Sequence, residues 1–272
     1  MAAALWIKKR PHPRAFSVVR SSMKHRIRAF GVHLLWSGLV AAVSLALVFV
    51  VWYPGPLAAA SGVGPIVLIL LAVDVVVGPV ITFTVFNPAK KNLKWDLAVV
   101  VALQLAALGY GLHTVFSARP AYVVFAADRF DVVYANDLTD DKLAKVTDPR
   151  FNSLPLWGPH VIAARRPASA KERNEIMFGA LAGGDDVPQL PQYYVPLAEQ
   201  RGQVIERLLP LDQLAEFNRG EADTVRKLLA DMAAHPGGAA FLPVRGKTGD
   251  FTVIIGKASG ELIRFVPLSP WQ

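Results

Sequence analysis

The stretch "LILLAVDVVVGPVITFTVFNPAKKNLKWD", residues 68–96, sets Asp74 and then the pair Gly78-Pro79 inside an apolar run. Extended back to Gly64, the run reaches the roughly 20 residues that a helix needs to cross a hydrocarbon core about 30 Å thick. An Asp at a helix centre costs about 2.5–3.5 kcal/mol on the insertion scale, and each Leu, Ile, Val or Phe returns roughly 0.3–0.6 kcal/mol. With fifteen such residues over 64–86, insertion tolerates Asp74. Two further runs match this one, at about 32–53 and 95–117, so the sequence predicts three transmembrane helices. Trp52, Tyr53 and Trp95 fall at span ends, where amphipathic rings favour the headgroup layer.

The composition agrees. Of 272 residues, 53% are hydrophobic and 18% charged, more apolar than an ordinary soluble domain of this length. The net charge of +8 sits entirely in residues 1–31, which carry eight Lys and Arg and no acid; the remainder balances. A basic tail directly before an apolar span is an anchor on anionic lipid, and no zinc-finger spacing or RNA-binding signature supports a nucleic-acid arm. Residues 1–31 are expected to be a disordered cytoplasmic tail, and Met23 is an alternative start. The Ala-x-Ala pattern ending at Ala60 suggests signal cleavage, but the run before it exceeds a signal peptide's apolar region.

Orientation follows from the short connections. The first link, "PGPLAAASGV", has no Lys or Arg, whereas the second carries Lys90, Lys91 and Lys94 as a cytoplasmic anchor. Everything after residue 118 then lies across the membrane, in the periplasm of a Gram-negative cell.

Residues 119–272 read as an α+β domain. "AYVVFAADRFDVVYAND" is a hairpin, "LWGPHVIAA" a strand, and the C-terminal "FLPVRGKTGDFTVIIGKASGELIRFVPL" a three-stranded meander. Ser169 and Glu172 form a capping box opening a helix to about Leu181, and "EADTVRKLLADMAAH" is a second helix, stopped by Pro236-Gly237-Gly238.

Catalytic and metal signals are weak. "RGKTGD" lacks the upstream glycine of a phosphate-binding loop, since Phe241 occupies that position. His160 and His235 have no metal-ligand spacing around them, and Asp140-Asp141 and Asp185-Asp186 read as solvated turns. Cysteine is absent, which removes thiolate chemistry. The expectation is a non-enzyme without cofactor or metal.

The intramembrane residues carry more. In a helix Asp74, Gly78 and Thr82 recur every four residues on one face, and Pro79 removes the amide that would reach Val75. On the third span Gln104, Ala107 and Gly111 share a face, and on the first Gly38, Ala42 and Ala46 form a small-residue row suited to close helix packing. The second and third spans are antiparallel, which sets Asp74 and Gln104 at similar depth. Two roles remain open for Asp74: an internal clamp with Gln104, or a polar point at a kinked groove that receives another membrane helix. One isolated carboxyl is thin support for a proton or ion path.

The succession "RAFGVHLL", "VWYPGPL", "VDVVVGPVITFTVFNPAKK", "DLAVVVALQLAALGYG", "ARPAYVVF" and "DRFDVV" resembles the type IV pilin accessory proteins of the TfpX/TfpZ family over about residues 23–135. Positions matching that pattern are Tyr53, Pro54, Gly55, Pro56, Asp74, Gly78, Pro79, Pro88, Lys90, Lys91, Asp96 and Gln104, followed by a motif of Arg119, Pro120, Asp128, Arg129 and Phe130 at the start of the outer domain. The resemblance implies a multi-pass bacterial inner-membrane protein that assists assembly, display or dynamics of a particular major type IV pilin, with other pilus assembly proteins as further partners. It implies no catalytic site. The competing classes are a membrane-anchored periplasmic sensor or assembly subunit and a periplasmic envelope enzyme.

Overall fold

A computed structural model describes residues 13–88 and 90–271, with side chains from Met23 onward. The basic residues Lys8, Lys9 and Arg10 lie outside the described residues, as do the side chains of Arg14 and Arg20. The chain divides into two compact units, one formed by residues up to Ser44 together with 68–111, the other by 45–67 together with 112–272.

The chain is helical as far as Ser117. Helix α1 runs Pro13–Ala46 and continues as a π-helical stretch, Leu47–Trp52. Residues 13–31, expected to be disordered, are therefore helical. Pro13 sits at the first helical position, where its missing N–H costs nothing, and no glycine or proline interrupts the next seventeen residues. A short helix α2, Leu57–Ala60, follows in the first link. The second span comprises α3 (Gly64–Ala72), a π-helical stretch (Val73–Val77) and α4 (Gly78–Val85); the third is α5 (Leu93–Ser117). Three stretches, Met23–Trp52, Gly64–Val85 and Leu93–Ser117, are long and apolar enough to cross a membrane. Many of their large apolar side chains are exposed, among them Leu35, Val43, Leu68, Ile69 and Leu103, as a hydrocarbon environment requires. At the π stretch the Gly78 N–H bonds the Val73 carbonyl five residues back. Pro79, one position on, has no N–H to restore the ordinary ladder.

Within the second unit lies a seven-stranded sheet with order β4-β3-β1-β2-β5-β6-β7. The expected hairpin is β1 (Pro120–Ala126) and β2 (Arg129–Tyr134), turned through Ala127, whose φ is 61°. After α6 (Asp140–Leu143), β3 (His160–Ala164) lies parallel to β1. Helix α7 (Ala170–Leu181) begins where Ser169 Oγ accepts the Glu172 N–H at 3.0 Å, but the Glu172 carboxyl turns away from the cap to accept the Tyr193 hydroxyl. The capping box is thus half made. Strand β4 (Tyr194–Val195) closes one edge, followed by α8 (Arg201–Glu206), α9 (Gln213–Phe217) and α10 (Ala222–Ala233). The meander is β5 (Ala239–Arg245), β6 (Phe251–Gly256) and β7 (Leu262–Val266).

The meander joins the hairpin through a narrow parallel pairing, Phe130 with Val244 and Asp131 with Arg245. Asp131 is buried there, with Arg245 Nε 2.5 Å and Arg129 Nε 3.3 Å from its carboxyl oxygens. Burial pushes this carboxyl above its usual range, against the pull of Arg129 and Arg245. "RGKTGD" is the β5–β6 turn, and it is tied to the first link: the Thr248 amide donates to the Ala60 carbonyl and its hydroxyl to the Ala59 carbonyl, both at 2.9 Å. Arg119, buried at the start of β1, donates to the Phe116 carbonyl at 2.8 Å and the Pro155 carbonyl at 2.7 Å, with its guanidinium over the Phe116 ring. Pro120 opens β1, Phe130 lies in the core, and Asp128 and Arg129 form a loose ion pair at the hairpin turn.

Candidate functional site: a polar-floored groove among the membrane helices

The helical unit holds a groove of about 560 Å³ between α1, α4 and α5. Its walls are apolar, with Val32, Trp36, Val40, Val101 and Leu105; its floor includes Ser37, Asp74, Thr82 and Gln104; His25 and Arg28 lie toward the N-terminal end of its α1 wall.

The floor is built by the kinked second span. Asp74 is only 7% exposed, and Gly78, Pro79 and Thr82 are buried on the same side. The Gln104 side-chain amide donates to Asp74 Oδ1 at 3.0 Å and to the Asp74 backbone carbonyl at 3.2 Å. That second bond occupies a carbonyl in the π stretch. Gly78 makes the approach possible, because a Cβ there would overlap the Gln104 amide. On α5, Gly111 leaves room for Leu70 in the same way.

The small-residue rows need correction. Gly38, Ala42 and Ala46 are exposed, and nothing lies within 4 Å of a Cβ placed at Gly38. The inward face of α1 is displaced from that row, with Ser37, Ala41 and Ser44 buried. In lipid the faces of a helix compete through polarity as well as size, and the serine hydroxyls turn inward. Ala107 is also exposed, whereas Leu108 next to it is buried.

Two residues absent from the sequence reading belong to the groove. His33 Nδ1 lies 2.6 Å from Thr82 Oγ1, linking α1 to α4, and Ser37 lies one turn further along α1. The signal was the row His33, Ser37, Ala41, Ser44, which carries polarity at helical spacing through an apolar span. Lys90, Lys91 and Lys94 are exposed in the loop after α4 and at the start of α5, and Lys90 ion-pairs with Asp96.

The second unit has its own cleft, of about 1030 Å³, lined by Arg129, Asp131, Arg166, Arg207 and Arg245 among others, with no histidine in its lining. Its acids are largely engaged: Asp131 faces two arginines, Asp185 pairs with Lys142, and Asp186 accepts the Val187 N–H. Among the described residues no group of three or more His, Asp or Glu has a metal-binding arrangement.

Residues 21–62 match the family model described as fimbrial assembly protein FimB, a segment that includes His33 and Ser37. The chain is similar to two fimbrial assembly proteins of Dichelobacter nodosus, of serogroup I (32% identical) and serogroup E1 (31% identical). Each similarity covers 84% of this chain and 89% of the relative. A third relative from the same organism, the fimbrial assembly protein of serogroups C1 and C2, is 36% identical over 42% of this chain and 88% of its own length. No solved structure matches. With a similarity that runs from the groove helices into the sheet domain, the chain belongs to the fimbrial assembly protein family.

Proposed function

We propose that this protein acts in type IV fimbrial assembly, in the narrower TfpX/TfpZ manner, by holding the transmembrane helix of a major fimbrial subunit in its groove. The observation that carries this reading is the groove itself: an apolar-walled channel of about 560 Å³ with a buried Asp74 at its floor. Apolar walls suit a helix in lipid, and an ionisable residue at mid-span that lines a cavity is a functional-site candidate beyond its bonds to Gln104. The fimbrial assembly names of the relatives supply the biological setting.

The protein sits in the bacterial inner membrane, with the lysine-bearing loop in the cytoplasm and the C-terminal domain in the periplasm. That orientation rests on Lys90, Lys91 and Lys94 in one link and on the absence of Lys and Arg from the other. A fimbrial subunit has a membrane helix and an external head, and the C-terminal domain engages the head. Two weak contacts within one molecule raise the effective concentration of the second. The role is one of assembly and needs no catalysis.

Capture of the tagged full-length protein from membranes in mild detergent tests the reading. Enrichment of the major fimbrial subunit over equally abundant inner-membrane proteins is expected. Recovery without the subunit, where a known partner of that subunit does retain it, would overturn it.

A further inference from the structure

Residues 144–159, between α6 and β3, form an irregular connection, longer than the roughly 12–15 residues beyond which such loops are usually functional. Its second half, residues 151–159, contains no charged side chain. The loop is held in place. Phe151 is buried and Leu154 packs on the same core. The Tyr122 hydroxyl donates to the Ser153 carbonyl at 3.2 Å, and Arg119 donates to the Pro155 carbonyl at 2.7 Å. Further on, Gly158 has φ 56°, and a Cβ there would lie 3.6 Å from the Val51 carbonyl oxygen. Between these ties Leu156 and Trp157 stand outward, 62% and 71% exposed. Large apolar side chains presented together on an ordered loop mark a contact surface.

Position decides what covers them. Val51 is the last residue but one of the apolar stretch Met23–Trp52, so Gly158 lies where that stretch leaves the hydrocarbon core. Arg119 ties the loop in the same way to the Phe116 carbonyl, in the last turn of the third span. Val50 is exposed, and with Val51 and Pro159 it lines a shallow hollow between the span end and the loop. The apolar surface is therefore continuous with the side of the span that faces lipid. A tryptophan at this level favours the headgroup layer. The aromatic residues at this end of the first span do not fill that place: Trp52 is buried against Phe116, and Tyr53 is buried with its hydroxyl donating to the Val115 carbonyl at 2.8 Å. Trp157 presents its ring there instead.

We infer that Leu156 and Trp157 enter the headgroup layer of the leaflet in which the first span ends, so that the sheet domain rests on phospholipid through this loop. The inference needs only the span and is independent of what the groove holds.

Because the chain has no cysteine, a single one can carry a small fluorophore. Full-length Leu156→Cys and Trp157→Cys proteins are labelled and placed in phosphatidylcholine nanodiscs, with and without nitroxide-bearing lipid. Leu181→Cys, at an equally exposed apolar position on α7 beside the hairpin turn, is the control. Both loop labels should be quenched by nitroxide lipid, more strongly with the nitroxide near the headgroup than at the acyl-chain end, and should lose most of the iodide quenching seen at position 181. Loop labels as open to iodide as the control, with no response to nitroxide lipid, would overturn the inference. Shielding from iodide without a response to nitroxide lipid would also overturn it, because protein and not phospholipid would then cover the loop.

Discussion

Gly78 should show a stability effect whose sign depends on a residue on another helix. In an ordinary helix interior, Gly→Ala stabilises by roughly 0.5–1 kcal/mol, because the glycine backbone has more freedom to lose. Here the added methyl would overlap the Gln104 amide, which lies over Gly78 on its way to Asp74. Forcing that amide aside overpacks the interface, at about 1–3 kcal/mol, and breaks an interhelical hydrogen bond that in membranes averages about 0.6 kcal/mol. Gly78→Ala should therefore destabilise the protein by about 1–2 kcal/mol. In a Gln104→Ala background the obstacle is gone, and the same substitution should be neutral or stabilising by up to about 1 kcal/mol. Reversible unfolding in mixed detergent and SDS micelles, followed by circular dichroism, gives the four free energies of the cycle. An equal effect of Gly78→Ala in both backgrounds would refute the argument, because it would mean that Gln104 does not occupy the space over Gly78.

Arg119→Lys and Arg119→Met should each lower stability by about 1–3 kcal/mol, because neither side chain can serve both the Phe116 and Pro155 carbonyls; thermal melting monitored in the far ultraviolet checks this. Ser169→Ala removes the oxygen that accepts the Glu172 N–H, so α7 should lose about 1 kcal/mol of local stability, read as faster hydrogen exchange of its first-turn amides. Asp131 governs a pH effect. Its folded-state pKa lies above the ordinary value of 3.8, so its contribution is present in acid and lost as pH rises through the raised value. Relative to Asp131→Asn, the native protein should lose stability as pH climbs from about 4, measured as the difference in melting temperature between the two. A gain with rising pH would mean that Arg129 and Arg245 outweigh burial.

Local patterns were legible in the sequence where short-range chemistry decides. Three apolar runs gave the three spans, "ADR" between β-branched runs gave the hairpin, and antiparallel depth put Asp74 and Gln104 at one level, where the side chains meet. Sheet order was not legible. Phe130 and Val244 pair in parallel although 114 positions separate them, and nothing local to either strand encodes that choice. The inner face of α1 was misread because glycine and alanine spacing marks where helices are able to approach, not where they do. Gly38, Ala42 and Ala46 satisfy the spacing on the exposed side, while Ser37 and Ser44 point inward. The basic segment concealed a helix for a related reason. The lack of an apolar period argued for disorder, yet residues 13–31 contain good helix formers with no break after Pro13.

Site-specific photo-crosslinking in native membranes tests the groove's role most directly. A photoreactive residue in place of Trp36, Val40 or Val101, which line the groove, should crosslink the major fimbrial subunit; one in place of Leu39, Val43 or Leu103, on exposed faces outside it, should not. Subunit crosslinks from the second set and none from the first would contradict the account.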